Sequence, residues 1–311
     1  IIISILSLAK GSVYISIEDI WLAIFKKGEE LNQTIIWELR LPRLLASLLV
    51  GSSLGMSGTL LQGMLKNGLA SPYLLGISAG SGLVIVFFIS FGLMQSFIPL
   101  AAWVGAILTT LIVFVLSRDG NKIVVERLVL GGVAISSLFG AIQATLLLQV
   151  EDGRIQAALN WLIGSLNARG WQEINFAALP ISIALIIGLF LSRQLNLLSL
   201  GDDLSVSLGN SLFRSRCLIG AVATLLTACA VSIGGLIGFI GLIVPHFSRL
   251  LIGNDFKYIL PFSALIGALT LSTADFISRL GPIEIPVGIV TALVGAPIFM
   301  IILYKKTGYK K

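Results

Sequence analysis

Nine apolar runs of roughly membrane-spanning length follow one another along this 311-residue chain. About 20 consecutive apolar residues cross the hydrocarbon core of a bilayer as a helix. The runs cover residues 44–65, 73–92, 98–116, 128–149, 176–195, 216–233, 235–252, 260–280 and 286–304. Only 12% of the residues are charged, about half the usual share for a soluble domain. This pattern excludes a soluble enzyme, a disordered protein and a secreted disulfide scaffold, and predicts an all-α membrane protein.

The shorter apolar segment 1–9 is interpreted as the end of a first span, which gives ten spans in one domain over residues 1–311. A signal-peptide remnant is the alternative. Several spans are predicted to be short or broken. Gly234 and Gly235 separate two runs, Pro245 interrupts the second run, and Pro72 lies in a glycine-rich stretch. The Gly51/Gly55 and Gly76/Gly80 spacings are typical of helices that approach closely.

The lysines and arginines predict the orientation of the chain. Most of the 21 lie in alternate connecting segments, at 66–72, 117–127, 193–216, 249–257 and 305–311. Cytoplasmic loops carry an excess of these residues, so we place those segments, and both ends of the chain, in the cytoplasm. The net charge of +6 is therefore a topology signal, and we expect no nucleic-acid partner.

The sequence carries little of the chemistry that an enzyme needs. It has no G-x-x-x-x-G-K-[ST] phosphate loop and no cluster of Cys and His, so we expect neither ATP hydrolysis by this chain nor a metal site. No catalytic residue and no directly bound cofactor are predicted.

Two remote alternatives remain open. Residues 76–80 match G-x-S-x-G, and Ser78 with the single histidine, His246, could form the pair of an intramembrane serine hydrolase; that motif needs a preceding strand. A secondary transporter needs ionisable groups inside the bundle, and here Asp275 and Arg279 are the deep candidates. Their spacing of four also favours a local ion pair.

Two polar segments are long enough to matter. The outer segment 10–43 predicts an amphipathic helix at the membrane surface. The inner segment 200–210 predicts a short helix preceded by Gly201, with Asp202 in its first turn and Gly209 at its end. Leu204 and Leu208 share one face of that helix, and an exposed apolar face indicates a partner.

Longer motifs identify a family resemblance. The run LRLPRLLASLLVGSSLGMSGTLLQGMLKNGLASPYLLGISAGSG resembles the opening of the permeases of iron–siderophore, haem and cobalamin ABC importers. The runs LGDDLSVSLG, SIGGLIGFIGLIVPHFSRLLIGND and EIPVGIVTALVGAPIFMIILYKK are similar to the second half of the same family. The resemblance covers nearly the whole chain.

The resemblance implies a ten-span permease of the bacterial inner membrane that pairs with a second permease, identical or paralogous. Two separate cytoplasmic subunits use the ATP, and a periplasmic or lipid-anchored protein delivers the substrate. We expect a ferric siderophore as substrate, with haem or cobalamin as the alternative. The family's cobalamin permease has Asn where this chain has Ala79, which argues against cobalamin.

The resemblance also assigns roles to particular residues. Docking of the binding protein is implied for Arg40, Arg43 and Arg279. Two short coupling helices that contact the ATPase are implied at about 200–213, which includes Gly201, Asp202, Leu204, Leu208 and Gly209. The translocation path is implied along the fifth span, 128–149, where the polar residues are Ser136, Ser137, Gln143 and Thr145.

Overall fold

A computed structural model describes residues 2–11, 13–73, 75–93, 97–120, 122–150 and 152–308. The first half contains helices α1 (Ile2–Ala9), α2 (Ile17–Ile24), α3 (Glu30–Thr34), a π-helical segment (Ile35–Arg40), α4 (Leu41–Leu65), α5 (Ile77–Ser90), α6 (Ile98–Leu116), α7 (Val125–Leu147) and α8 (Asp152–Ile163). A two-stranded ribbon, β1 (Arg118–Asp119) and β2 (Lys122–Ile123), pairs antiparallel between α6 and α7. The second half contains α9 (Trp171–Phe190), α10 (Ser192–Ser199), α11 (Asp202–Ser207), α12 (Leu212–Gly234), α13 (Ile240–Ile252), α14 (Phe256–Ser278) and α15 (Val287–Gly308).

The apolar runs of the sequence form these helices, as predicted for an all-α membrane protein. Within the described ranges, six helices are long and apolar enough to cross a membrane. Three shorter apolar helices accompany them, namely α5, α13 and the part of α15 from Val287 to Ile302. The count of ten spans stays a prediction, because α1, α5 and α13 are shorter than a standard span. Lys310 and Lys311, which the charge pattern places inside, lie outside the described residues, as do the side chains of Lys122, Lys305 and Lys306.

The outer segment 10–43 is only partly the surface loop that was expected. The amphipathic helix is present as α2, where the Ser16 hydroxyl caps the first turn by accepting from the Asp19 amide at 3.1 Å. From Glu30 onward, however, the chain is continuously helical to Leu65. The helix continues through this charged stretch because Arg40 and Arg43 find acceptors inside the protein.

Helix α4 lies at the centre of the bundle and packs against α9, α12, α13 and α14. A Cβ atom added to Gly51 would lie 2.8 Å from the carbonyl carbon of Gly267, and one added to Gly58 would overlap the backbone of Gly241. Glycine therefore lets these backbones touch, which is the close helix packing predicted from the spacing of Gly51 and Gly55.

The predicted breaks in the helices are present. The chain between α4 and α5 is not helical, and α5 begins directly after Gly76, whose φ is +73°. A second break follows α12, where Gly235 has a φ of +71°. It leads into the short helix α13, which contains Pro245.

The region 200–213 was expected to hold two short helices, and this expectation is wrong about where the second one lies. Only α11 falls inside the region, because the long helix α12 already begins at Leu212. The other short helix is α10, which precedes α11 and ends at Ser199.

Candidate functional site

An ion-pair cluster lies where the N-terminal end of α4 meets the C-terminal end of α14. The buried carboxylate of Asp275, 1% exposed, accepts hydrogen bonds from Arg43 Nε and Nη2, each at 2.9 Å to Oδ1. Arg279 Nη2 lies 3.2 Å from the other Asp275 oxygen, which is the local pair that the spacing favours. Glu284 Oε1 completes the cluster at 2.6 Å from Arg43 Nη2.

Arg40, predicted with Arg43 and Arg279 as a docking residue, points into the protein. Its side chain is 7% exposed, and its guanidinium donates to the carbonyls of Leu8, Ala9 and Val13. These carbonyls belong to the end of α1 and the turn after it. Arg279 reaches the same segment. Arg40 therefore fixes the end of α1.

The three predicted arginines are thus brought together near the C-terminal end of α1. Arg279 donates to the Ser7 hydroxyl at 2.5 Å, one residue before the carbonyls that Arg40 holds. Arg43 and Arg279 each keep a small exposed fraction. The sequence missed Asp275 as the shared acceptor for Arg43, because the two residues are 232 positions apart.

At the opposite end of α4, α11 is held by a second ion-pair cluster. Gly201 precedes the helix with a φ of +110°. Asp202 then accepts from Lys66 Nζ at 3.0 Å and from Arg216 Nη2 at 2.9 Å. Burial raises the pKa of Asp202, but hydrogen bonds and charge from Lys66 and Arg216 outweigh it, and the net pKa lies below its usual value. Asp202 stays ionised and fixes the start of α11.

The apolar face of α11, which was predicted to contact a partner, is exposed. Leu204 is 58% exposed and Leu208 is 57% exposed. Gly209 follows with a φ of +81° and returns the chain to α12. The helix is therefore rigidly attached on one side and uncovered on the other within this chain.

The four polar residues of the fifth predicted span divide into two pairs on α7. Gln143 Nε2 donates to the Ala79 carbonyl at 3.0 Å, and Ser136 donates to the Tyr73 carbonyl at 3.4 Å, so both face the neighbouring chain around α5. Ser137 and Thr145 are exposed and bond only within their own helix. In the most apolar stretch of α7, 22% of the residues are buried, and this is the lowest share among the six candidate spans.

An apolar groove of about 770 Å³ lies next to the segment before α5. Its walls come from that segment and from α13 and α15, and include Tyr73, Phe239, Leu242 and Met300. Tyr73 links the groove to α7, since its carbonyl accepts from Ser136.

The alternative chemistries find little support in the geometry. Ser78 lies in the first turn of α5, 2% exposed, and the strands of the described chain are confined to residues 118–123, so no strand precedes it. Asp275 is bound by two arginines. Among the described residues, no group of three His, Cys, Asp or Glu side chains could hold a metal ion.

Comparison with known proteins defines the class. The family model described as the FecCD transport family matches residues 1–305. A probable siderophore transport system permease protein of Bacillus subtilis, YfhA, is 35% identical over 97% of this chain and 90% of its own length. The vitamin B12 import system permease protein BtuC of Vibrio cholerae is 38% identical over 94% of this chain and 89% of its own.

The fold has a solved counterpart as well. A metal-chelate type ABC transporter, solved in an inward-facing conformation, superposes with a TM-score of 0.89 at 33% identity, covering 98% of this chain and 96% of the other. This chain belongs to the FecCD transport family and is a membrane permease of the ABC importer type. Its relatives are permease subunits rather than enzymes, and in such systems the ATPase is a separate subunit.

Proposed function

We propose that this chain is the permease of an importer for ferric siderophores. The observation that carries the proposal is the uncovered face of α7. Between residues 128 and 147, the exposed polar side chains of α7 are the hydroxyls of Ser137 and Thr145. A Cβ atom added at Gly140 would meet nothing within 4 Å. A large polar chelate needs a wide path that binds weakly, and small and hydroxyl side chains suit it better than a tight charged site. Haem or cobalamin is the alternative, since the same lining fits them.

The experiment is to isolate the importer with its substrate. The permease is purified with its ATPase subunits and binding protein from iron-limited cells, and the bound small molecule is identified by mass spectrometry. A ferric siderophore supports the proposal. Haem or a corrinoid as the only bound chelate would replace it with the alternative.

We further propose ten spans with both ends in the cytoplasm of the bacterial inner membrane. The charge pattern supports this orientation, as does the cluster of Lys66, Asp202 and Arg216 at one end of the bundle. A second permease, identical or paralogous, pairs with this one across the exposed face of α7. The path runs between them, along Ser136, Ser137, Gln143 and Thr145.

The inner face is proposed to couple to the ATPase. The uncovered leucines Leu204 and Leu208 are the contact, and Asp202 holds α11 in place between Gly201 and Gly209. A short helix that is firmly held and has an exposed apolar face can transmit the movement of a partner subunit to this chain. ATP is used by that partner.

The outer face is proposed to receive the acidic surface of the binding protein. The cluster of Arg40, Arg43 and Arg279 exceeds its two carboxylates, Asp275 and Glu284, by one positive charge. Arg43 and Arg279 retain some exposure, and an arginine fork suits a carboxylate. Arg40 contributes indirectly, because it is buried and fixes the end of α1.

This docking role has a direct test. Because charges at the rim of an interface act mainly on association, Arg279→Gln should slow capture of the binding protein, most strongly at low salt. Lys27→Gln removes an exposed positive charge just after the end of α2 as the control. Equal association rates for both variants and the wild type, measured by surface plasmon resonance, would reject docking at this cluster.

A further inference from the structure

Arg169 lies in the outer loop between α8 and α9 and is almost fully covered. Its guanidinium carbon sits 4.2 Å from the ring centre of Trp161, and its side chain is 14% exposed. The loop is held in place by the Ser165 amide, which donates to the Gly234 carbonyl at 2.9 Å. Ala168, just before Arg169, has a φ of +56°, a costly backbone conformation for a residue with a side chain.

The hydrogen-bonding capacity of Arg169 is unused within the described residues. Its closest acid is Glu173, whose Oε1 lies 3.8 Å from Nη1, too far for a hydrogen bond. The Arg169 Nε atom is buried and has no acceptor. By contrast, Arg40 donates to three carbonyls and Arg43 to two carboxylates. Leaving buried donors unpaired is unfavourable by about 1–3 kcal/mol for each group, so an acceptor from outside the chain is expected.

Two recesses meet at this guanidinium, and we call them together the Arg169 basin. One has a volume of about 440 Å³ and a rim that includes Gln156, Asn160 and Asn167. The other has a volume of about 310 Å³ and is lined in part by Trp161. The side-chain oxygen Oδ1 of Asn160 accepts from Gln156 Nε2 at 3.4 Å. Within the described ranges, the side-chain NH2 groups of Asn160 and Asn167 find no acceptor.

The acidic groups near the basin are already engaged. Glu284 is paired with Arg43 at 2.6 Å. The second oxygen of Glu173 accepts from the Gly170 amide at 3.0 Å. Both carboxylates line the recesses, but the charge of Glu284 is balanced by Arg43 and Glu173 accepts from a backbone amide. The guanidinium of Arg169 and the neutral side-chain amides are the donors left for a ligand, and they suit an anion rich in oxygen atoms.

We propose that the Arg169 basin is a substrate subsite at the outer mouth, binding the anionic carboxylate or catecholate arms of a ferric chelate. This inference rests on the proposed function and narrows the substrate class. An arginine fork donates two parallel hydrogen bonds to such groups, and Trp161 fixes the plane of the fork by stacking. Two recesses on either side of one guanidinium suit a branched small molecule better than a single acidic side chain of a protein.

The test uses the purified permease with three iron chelates as probes. Ferric citrate and a ferric tris-catecholate are anionic, and a ferric trihydroxamate is neutral. Arg169→Gln should weaken binding of the anionic probes about tenfold, which corresponds to 1.4 kcal/mol, and leave the neutral probe unchanged. Arg169→Lys should fall between, because it keeps the charge and loses the fork. Lys27→Gln, which removes an exposed charge that does not line either recess, should bind all three like the wild type.

A second variant guards against a folding defect. Asn167 is exposed, so Asn167→Asp should leave the fold intact, and its negative charge should weaken binding of the anionic probes only. The inference is overturned if the wild type binds neither anionic probe, or if the Arg169 and Asn167 variants bind them unchanged. It is also overturned if these variants lose affinity for the binding protein instead.

The failure of this inference can be told apart from the failure of the proposed function. In vesicles that contain the whole importer, the proposed function fails if the wild type takes up no ferric chelate. The inference alone fails if anionic chelates are taken up and Arg169→Gln makes no difference to that uptake.

Discussion

At the scale of single residues, Asp275 organises the end of the protein where α4 begins and α14 ends. Its buried carboxylate accepts hydrogen bonds from Arg43 on α4 and forms an ion pair with Arg279, which directly follows its own helix. Removing one partner from such a pair leaves an uncompensated charge in a poorly solvated place. The cluster therefore depends on the negative charge of Asp275 more than on any one arginine.

Asp275→Asn should destabilise the permease strongly. The substitution keeps the shape of the side chain but leaves two arginines without their shared carboxylate, and losing one member of a buried pair costs about 3–5 kcal/mol. The check is the thermal unfolding midpoint in detergent, with the exposed Glu126→Gln as control. An unchanged midpoint for Asp275→Asn would contradict the structural role given to this residue.

The sequence indicated part of this site. The spacing of four between Asp275 and Arg279 predicted their pair, because residues four apart share a helix face. The same reasoning could not find Arg43 as the second partner, since that contact depends on how α4 and α14 pack. Nor could it show that Arg40 turns inward, which follows from the three carbonyls at the end of α1.

At the scale of elements, the glycines of α4 decide how closely its neighbours approach. A Cβ atom added to Gly51 would meet the backbone of Gly267 on α14. A Cβ atom added to Gly131 on α7 would meet nothing within 4 Å. The same substitution should therefore have opposite effects at the two positions.

Gly51→Ala should lower stability and Gly131→Ala should not. Forcing α4 and α14 apart costs about 1–3 kcal/mol, whereas an alanine in open space gains helix propensity of up to about 1 kcal/mol. Thermal unfolding of both variants in detergent checks this. A tolerated Gly51→Ala would show that the two helices do not touch backbone to backbone.

The short helix α11 carries a separate prediction. Leu204→Ala with Leu208→Ala should leave the permease folded but weaken its binding to the ATPase about tenfold or more, since truncating an apolar anchor costs about 1–2 kcal/mol. Ser207→Ala, on the same helix, is the matched control. Normal affinity and normal ATPase stimulation in the double variant would remove α11 from the coupling surface.

The helices themselves could be predicted from the sequence, because every long apolar run needs a helix inside a bilayer. Boundaries set by packing could not. The chain stays helical from Glu30 because charged side chains find partners within the fold, and α12 begins at Leu212, inside a region expected to form a second short helix. The first difference comes from contacts between segments far apart in the sequence.

At the scale of the whole molecule, the chain is a FecCD permease with three surfaces that matter for its proposed partners. One carries the open face of α7, and the second carries the exposed Leu204 and Leu208 on α11. The third, at the opposite end of α4, carries the partly exposed Arg43 and Arg279. ABC importer permeases work with ATPase subunits and a substrate-binding protein, typically as dimers. The three surfaces suit those three kinds of partner.

The most direct measurement of the central claim is ATP-driven uptake of radiolabelled iron by vesicles that contain the permease, its ATPase and its binding protein. We expect uptake of a ferric siderophore that requires ATP. Ser137→Trp, which fills the open face of α7, should block that uptake, whereas Leu250→Trp, at an exposed position on α13, should not. Uptake of haem or cobalamin without any ferric siderophore, or full uptake by the Ser137 variant, would contradict this account.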